Sequence, residues 1–258
     1  RNIDLSALSY SERVSFKISN KIRFIVRIAC QTAGRPMKTR DRILHVSLLL
    51  FNEEGESHQT AVDISNALDI SPGNLYYHFK NREEIVMVIY EDLDADFRAA
   101  LVEDVHAPIS PERFAGFFLR TLQVAWEYRF FFGGMLHLLR RDEELAARYA
   151  ALQAWAIDAI ETILRQLIKD HSLTRPKAKT GLRSMAINLW IVWSNWIRFV
   201  QVSDPKGEVR RDHLIQGVGQ LLDILEPYLD PGFEKAGRRV LTRELKKFAE
   251  EAAADPAS

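Results

Sequence analysis

Three consecutive side chains with hydrogen-bonding groups, Tyr76, Tyr77 and His78, lie in the first third of the chain, and Lys80 follows two positions later. Burying this group in a core would leave two hydroxyls and an imidazole without obvious partners, which costs free energy. We therefore expect these side chains to face outward. Phenol, imidazole and ammonium groups presented together suit the phosphates and base edges of a duplex. The alternative is an ordinary helical hairpin.

The residues before this group have the pattern of a short, capped helix. Thr60 and Asp63 fit a capping box, with Thr60 as the N-cap and Asp63 as the third helical residue. Asp69 is then expected in a turn, because Asp tolerates the left-handed backbone conformation better than most residues with a side chain. The apolar residues between them recur at helical spacing and predict one buried face: Ile64, Ala67 and Leu68.

The next residues have the pattern of a second short helix. Ser71 suits the N-cap, and Pro72 suits the first helical position, where no amide donor is needed. Leu75 and Phe79 are four residues apart and are expected to point into the core. Gly73 has no side chain and would let the backbone approach a groove closely. Together the two short helices predict a helix-turn-helix whose second helix reads DNA.

A longer helix in front completes a three-helix unit. Residues 39–54 are helical in pattern, and Gly55 is suited to end that helix. Its expected inner face consists of Ile43, Val46, Ser47, Leu50 and Phe51. The sequence therefore predicts a DNA-binding domain over residues 37–84.

These motifs resemble the DNA-binding domain of the tetracycline-repressor (TetR) family, over residues 37 to about 90. The run Gly73–Lys80 looks like the recognition helix of its multidrug-binding members. The start Met37–Leu44, with Phe51–Asn52 and Ile70–Asn74, is similar to the branch that holds a regulator of polyhydroxyalkanoate genes. The resemblance covers roughly a fifth of the chain, and it implies an operator-binding protein whose second domain binds a ligand and forms a dimer.

The resemblance also implies roles for individual residues. Gly73 and Tyr76 would contact base edges, and a second group would contact phosphates: Thr60, Tyr77, His78 and Lys80. Lys38 and Asn74 complete the set of candidate DNA-contacting residues. Two positions depart from the family pattern: Pro72 stands where many members have Lys, and Asp69 stands where a turn Gly is usual. One cationic contact is therefore missing.

The charge balance does not by itself indicate a nucleic-acid partner. The net charge is zero, and residues 37–90 hold five basic and eight acidic side chains, a balance of −3. However, Lys38, Arg40, Lys80 and Arg82 cluster at the ends of the three-helix unit. Phosphate contact depends on the local field. We expect modest DNA affinity with a strong dependence on salt.

Other features concern the compartment and the first residues. The single cysteine, Cys30, excludes an intramolecular disulfide. No apolar run approaches the roughly 18–20 residues that span a bilayer, and no signal-peptide pattern occurs, so a cytoplasmic protein without a membrane partner is expected. Residues 1–36 are rich in basic side chains. We interpret them as a non-native or poorly ordered extension; the alternative is a basic arm that adds phosphate contacts.

Helical periodicity continues after the predicted DNA-binding domain of residues 37–84, which we call the reader. No segment has the alternating pattern of a β-strand, so the predicted fold class is all-α. The sequence predicts a helical ligand-binding and dimerisation domain over residues 85–230 and a charged C-terminal tail over 231–258, in which residues 233–254 could form a further helix. Aromatic residues are dense in the second domain, and few charges interrupt them. They predict a pocket for an apolar or amphipathic effector, with these candidates: Phe117, Phe118, Trp126, Phe131, His137, Trp155, Trp190 and Trp193. The alternative for each aromatic residue is that it is an ordinary core residue. His137 and Arg140 lie one helical turn apart and could bind a carboxylate head group of the effector, or they could be solvated.

The last two helices of this domain predict a homodimer. Gly217 and Gly219 each cost about 1 kcal/mol relative to Ala inside a helix, which close helix approach would explain. The family packs these two helices against their symmetry mates as a four-helix bundle. The interface candidates are Trp196, Gly217, Gly219, Leu221, Leu222 and Leu225. Packing within one chain is the alternative.

Catalysis finds little support in the sequence, which lacks a Gly-rich phosphate loop, a His-Glu-x-x-His motif, paired-cysteine metal spacing and a nucleophile elbow. No cofactor or metal is expected. The sequence predicts a homodimeric transcriptional regulator, taken to be a repressor, that binds a palindromic double-stranded operator and responds to a small-molecule effector. The alternatives are a helical interaction scaffold with a degenerate reader and an enzyme.

Overall fold

The computed structural model describes residues 37–102, 107–178, 181–204 and 207–254. Predictions for residues 1–36 lie outside this part of the chain. Ten α-helices occur in it, in the order α1 (Thr39–Glu54), α2 (Ala61–Leu68), α3 (Pro72–His78), α4 (Arg82–Leu101), α5 (Pro111–Glu127), α6 (Arg129–Arg141), α7 (Glu143–Lys169), α8 (Gly181–Ser203), α9 (Arg211–Leu225) and α10 (Pro231–Ala254). Single 3₁₀ turns occupy Glu56–His58 and Glu226–Tyr228. The described residues contain no β-strand, so the predicted all-α fold is confirmed.

The chain divides into two compact units between Glu91 and Asp92, inside α4. The sequence had placed the boundary earlier, after residue 84, at the point where the helix-turn-helix pattern ends. In the first unit, α1 packs on α2 and α2 on α3. Their shared core contains the predicted inner faces, with Ile43, Leu50, Phe51, Ile64, Leu75 and Phe79 almost completely buried. These residues recur at helical spacing, so each short helix contributes one apolar stripe.

In the second unit, α8 packs against α6, α7 and α9, while α5 packs against α9 and α10. The faces of α8 and α5 that meet these neighbours are strongly apolar and largely buried. Among the described residues, no helix has the combination of length and apolar character that crossing a bilayer requires.

The charged C-terminal segment is helical and packs on the second unit. Residues 231–254 form the long helix α10, which lies against α5. Leu241 is buried in this packing, and the rings of Phe233 and Phe114 lie 5.3 Å apart. A Cβ at Gly237 would lie 3.1 Å from Cδ1 of Phe114, so the two helices approach closely there. The charged stretch is therefore a helix with one buried stripe, because widely spaced apolar residues among many charges still share one side of a helix.

Candidate nucleic-acid interface

The first helix of the reader begins with the predicted capping box. The backbone amide of Asp63 donates to Oγ1 of Thr60 at 3.2 Å, and the amide of Thr60 donates to Oδ2 of Asp63 at 2.8 Å. Two amides that helix formation would leave without partners are thereby satisfied. Thr60 stays exposed at the start of α2.

The turn between the two short helices is also the predicted one. Asp69 ends α2 with φ 55° and ψ 45°, in the left-handed region. The amide of Ile70 then donates to the carbonyl oxygen of Ser65 at 3.1 Å, which closes the end of the helix. An Asp at this position takes the role for which Gly is usual in the family, at a modest cost in strain.

The recognition helix α3 is held by a cap and two buried side chains. Oγ of Ser71 accepts from the amide of Asn74 at 3.2 Å, and Pro72 occupies the first turn. Leu75 and Phe79 are buried, as predicted. A helix of only seven residues is marginal by itself, so these anchors in the core of the unit stabilise it.

The outward side of α3 presents two large aromatic residues to solvent. Tyr76 is 54% exposed and Tyr77 is 84% exposed. The ring of His78 is half-buried and lies edge-on to the ring of Tyr77, with 5.1 Å between centroids. An added Cβ at Gly73 would meet no atom closer than Oγ of Ser71 at 3.9 Å, so packing within the chain does not require glycine there. Exposed aromatics beside an open backbone favour contact with another molecule.

The basic side chains around α3 differ in their availability. Lys38 and Lys80 are exposed. The guanidinium of Arg40 lies over the ring of Phe79, 5.0 Å from its centroid. Arg82, which the sequence grouped with these cations, is instead engaged inside the unit, where its Nε lies 2.6 Å from the carboxylate of Glu56. Local sequence patterns do not reveal this pair, because the two residues are 26 positions apart.

A cleft of about 290 Å³ lies beside the recognition helix. It is lined by the start of α2, by one side of α3 and by the start of α4, including Thr60, Ala61, Tyr76, Lys80, Asn81 and Arg82. The structure thus brings three of the predicted DNA-contacting residues, Thr60, Tyr76 and Lys80, to one opening. The ammonium of Lys80 at this opening suits an anion such as a phosphate, while the carboxylate of Glu83 on the same lining opposes it.

In the second unit, three of the residues predicted to line an effector pocket, Phe131, Trp190 and Trp193, belong to one aromatic cluster. The ring of Trp193 lies 4.5 Å from Phe97 and 4.9 Å from Phe132, and Trp190 lies 5.6 Å from Phe97. Phe131 adjoins the same group through Phe132, at 5.7 Å. Phe132 belongs to the dense aromatic segment from which the candidates were chosen, whereas Phe97 was missed, since the sequence shows it only as one more apolar residue of its helix. The cluster is closely packed rather than open.

Other members of the predicted pocket lie elsewhere. Trp126 is covered by the guanidinium groups of Arg129, at 4.3 Å from its centroid, and of Arg211, at 5.1 Å. Trp155 lies under the guanidinium of Arg98 at 4.5 Å. His137 is exposed, and its Nε2 lies 3.4 Å from a guanidinium nitrogen of Arg141. Each of these three side chains thus has an arginine neighbour that helical spacing does not reveal, and their place in an effector pocket stays a prediction.

Phe117 and Phe118 are both buried on α5. Phe118 lines a small cavity between α5, α8 and α9, together with Thr121, Trp193 and Trp196. The cavity holds about 20 Å³, which is room for one water molecule. An effector of drug size would have to open it.

The predicted dimer residues are mostly covered by their own chain. A Cβ at Gly217 would lie 2.6 Å from Cδ1 of Trp196, and Nε1 of Trp196 donates to the carbonyl oxygen of His213 at 2.6 Å. Gly217 therefore permits close helix approach, as expected, but between α8 and α9 of one chain. Three further candidates are buried in the same packing: Leu221, Leu222 and Leu225.

A different surface on α8 remains uncovered. Ile187, Ile191, Phe199 and Val202 are exposed, and their spacing places them along one side of the helix. Gly219 on α9 differs from Gly217, because an added Cβ there would meet nothing within 4 Å. The α8 stripe was missed, since the sequence does not show which side of an apolar helix faces inward.

Comparison with known proteins agrees with this architecture. The family model described as bacterial regulatory proteins of the tetR family matches residues 43–88, and the TetR model described as a bacterial transcriptional repressor matches residues 91–236. A solved structure of a TetR-family transcriptional regulator from Marinobacter aquaeolei VT8 is 32% identical, covers 82% of this chain and 99% of its own, and has a TM-score of 0.69.

Two curated relatives match over shorter segments. The transcriptional repressor KstR2 of Mycolicibacterium smegmatis is 30% identical over 105 residues, which are 40% of this chain and 50% of the relative. The transcriptional regulator TcmR of Streptomyces glaucescens is 33% identical over 64 residues, 25% of this chain and 28% of the relative. The matches thus span half or less of these relatives. Since the TetR model alone matches more than half of the chain, this protein belongs to the TetR family of bacterial transcriptional repressors.

Proposed function

We propose that this chain is a homodimeric, ligand-modulated repressor that binds a palindromic operator through α3. The observation that carries the proposal is the pair Tyr76 and Tyr77, exposed on a capped helix whose other side is anchored in the core. Tyr76 and Gly73 are assigned to base edges. The phosphate contacts are assigned to Thr60, Tyr77, His78 and Lys80. A protein that binds chromosomal DNA acts in the cytoplasm of a bacterium.

The dimer supplies the second reader. Two recognition helices about 34–36 Å apart fit successive major grooves on one side of B-DNA. We infer that the partner packs on the exposed stripe of α8 and on α9 near Gly219, rather than on the leucines buried within the chain. An isologous contact of this kind buries the apolar stripe of both copies at once.

Ile191→Glu tests the dimer surface, because a charge at its centre would face its symmetry mate. We expect the variant to sediment as a monomer at micromolar concentration and to lose most operator affinity. The matched control is Ala151→Glu, which places the same charge on an exposed position of α7. A dimeric Ile191→Glu variant would place the interface elsewhere.

The proposed effector acts through α4. Its last residues carry Phe97, which packs on Trp190 and Trp193 in the aromatic cluster. Two polar contacts hold the same stretch: Tyr128 donates to Oδ2 of Asp96 at 2.6 Å, and Nε of Arg120 donates to the carbonyl oxygen of Ala100 at 3.0 Å. A ligand that separates the rings would displace Phe97 and with it α4, which begins four residues after α3.

The ligand is assigned as apolar or amphipathic, with a fatty acid or acyl thioester as the specific candidate. The aromatic cluster and the 20 Å³ cavity that Trp193 also lines support an apolar ligand. The acyl group is proposed by analogy with the polyhydroxyalkanoate branch. Because both sites are closed here, the bound state must differ in packing, and the ligand shifts the population only as far as it prefers that state.

Selection from a random duplex pool tests the function as a whole. The full chain should enrich a palindrome whose half-sites are one helical turn apart, and addition of the effector should release it. Enrichment of no sequence, with retained dimerisation, would favour a helical scaffold with a degenerate reader over a repressor.

A further inference from the structure

We propose that Arg82 is a positioning residue of the DNA interface and not a phosphate contact. The inference rests on the proposed function, because it concerns how the cleft beside α3 is shaped. Arg82 is the first residue of α4 and lines this cleft. Its side chain is nevertheless only 21% exposed, and its charge is directed at partners inside the first unit.

The first partner is a carboxylate with almost no access to water. The side chain of Glu56 is 8% exposed, and its Oε1 lies 2.6 Å from Nε of Arg82. A nearly buried carboxylate requires a cationic partner, since an unpaired charge in such a place is strongly unfavourable. Arg82 is therefore held by Glu56, and a phosphate would have to compete with this carboxylate for the guanidinium.

The second set of partners is the backbone that leads into α2. Nη1 of Arg82 donates to the carbonyl oxygen of Glu56 at 3.2 Å and to that of Gln59 at 3.1 Å. These carbonyls belong to the 3₁₀ turn and to the residue just before Thr60, the N-cap of α2. One guanidinium thus ties the beginning of α4 to the beginning of α2, which are two walls of the cleft.

The planar shape of the guanidinium explains why arginine suits this place. Its five N–H groups can meet a carboxylate and two carbonyl oxygens in one fixed arrangement, whereas a lysine ammonium is a point charge with no such geometry. By fixing the turn before Thr60, Arg82 sets the distance between Thr60 and Lys80. Those two side chains are the assigned phosphate contacts on the opposite walls.

The test compares Arg82→Ala, Arg82→Lys and Glu56→Gln in the full chain. Affinity for the duplex selected by the wild type, and for a random-sequence duplex, is measured over a range of salt concentrations. A phosphate contact contributes about −0.9 to the slope of log affinity against log salt. Lys80→Ala is the matched control, because Lys80 is an exposed cation at the same cleft.

We expect Arg82→Ala and Glu56→Gln each to weaken binding to the selected duplex roughly tenfold, since each breaks the buried pair. The salt slope should stay at the wild-type value in both, while Lys80→Ala lowers it by about one. Arg82→Lys should not restore affinity, and the double variant Glu56→Gln/Arg82→Ala should be no weaker than the single ones.

A direct phosphate role gives the opposite pattern and would overturn the proposal. Arg82→Ala would then lower the slope by about one, Arg82→Lys would behave like the wild type, and Glu56→Gln would bind equally well or more tightly, because a competing carboxylate is gone.

Amide hydrogen exchange gives a readout that needs no DNA. In Arg82→Ala and Glu56→Gln, the peptide covering residues 56–64 should exchange faster, while the peptide from α1 keeps its wild-type rate and shows that the unit remains folded. Unchanged exchange over 56–64 would refute the positioning role even if DNA affinity fell. If the wild type selects no DNA, the proposed function fails, and exchange still decides whether Arg82 fixes the turn.

Discussion

The aromatic side chains of the two units have opposite environments. In the first unit, Tyr76 and Tyr77 face solvent on a short helix, whereas in the second unit Phe97, Phe131 and Trp190 are almost fully buried. The first group contributes little to folding and is free to bind. The second group contributes much to folding and can bind a ligand only after its packing opens. The reader therefore behaves as a preformed surface, and the second unit as a core that must be rearranged.

Replacing one aromatic in each unit should give the largest contrast. Phe97→Ala removes a ring that contacts both Trp190 and Trp193, and we expect it to destabilise the protein by about 3–5 kcal/mol. Tyr77→Ala should change stability by under about 0.5 kcal/mol. Urea unfolding followed by far-UV circular dichroism measures both variants, because this signal comes from the helices of both units. Equal effects of the two substitutions would remove the contrast.

Two glycines of α9 sharpen the distinction between packing within the chain and packing between chains. Gly217→Ala places a methyl 2.6 Å from Trp196 and should cost about 1–3 kcal/mol by overpacking. Gly219→Ala meets open space and should stabilise the isolated chain by up to about 1 kcal/mol.

Sedimentation of the two variants separates the roles further. If a partner helix approaches Gly219, Gly219→Ala should weaken the dimer even though it makes the single chain more stable than the wild-type chain. Weakened dimerisation in Gly217→Ala at unchanged thermal stability would instead return Gly217 to the interface.

Within the reader, the two kinds of DNA contact should respond differently. Tyr76→Ala should cost about 1–3 kcal/mol on the selected duplex and relax discrimination at one position, as for a base contact. Lys80→Ala should weaken all duplexes alike and lower the salt slope by about one. Competition binding against single-base variants of the operator measures both. The role assignment fails if both substitutions act equally on specific and random DNA.

The reader was predictable from sequence because its decisive contacts are local. The capping box of Thr60 and Asp63 spans three residues, and the left-handed turn at Asp69 depends on one side chain. Each rule acts over less than one helical turn, so the pattern determines the geometry. The exception is Arg82, whose partner Glu56 is 26 residues away. The sequence groups Arg82 with the cations at the ends of the unit, and the structure pairs it with a carboxylate inside the unit.

The second unit was predictable in its helices but not in their neighbours. Apolar residues at helical spacing over about 142–170 predict one long helix, and α7 spans Glu143–Lys169. Periodicity does not show which helix meets which face. Trp196 was assigned to a partner chain and packs on Gly217 of its own, and Trp126 was assigned to a pocket and lies beneath Arg129 and Arg211. These contacts join residues 3 to 85 positions apart, and helical spacing cannot predict the contacts between residues that are distant in the sequence.

Alkaline pH should affect Tyr149 of α7, which is buried with its ring 6.2 Å from that of Trp190 in the aromatic cluster. Burial raises the pKa of Tyr149 to about 12, so its hydroxyl stays protonated in the folded chain after the unfolded chain has lost that proton. The stabilisation is therefore complete below about pH 10, the ordinary value, and is lost as pH rises from 10 towards 12.

Tyr149→Phe should lessen this pH dependence without removing it, because burial and the hydrogen bond to Asp96 also raise the pKa of Tyr128. The variant should cost about 1 kcal/mol at neutral pH through the lost hydrogen bond between the Tyr149 hydroxyl and Ser194. Tyr77→Phe is the matched control, because its exposed phenol is not held in the core. Stability measured by urea unfolding at pH 8, 10 and 11 decides the matter. An equal loss of stability in the wild type and in Tyr149→Phe would assign the alkaline transition to other groups.

The smallest expected effect is the gain in binding free energy for each methylene added to the ligand. This gain decides whether the second unit senses a ligand or is only a packed core. Burying an acyl chain gains about 0.8 kcal/mol for each methylene, so affinity should rise steadily over a C8–C16 series until the opened space is full. Binding must separate rings around Trp193, which lies 4.5 Å from Phe97, so Trp emission should change in step with the release of DNA. Phe97→Ala is the matched comparison, because it leaves a void beside Trp193. Acyl chains of a given short length should therefore bind this variant more tightly than they bind the wild type. Their effect on DNA release should nevertheless be weaker in the variant. A series that alters neither emission nor DNA release would mean that the aromatic cluster only holds the unit together, and the effector would then have to be sought in another chemical class.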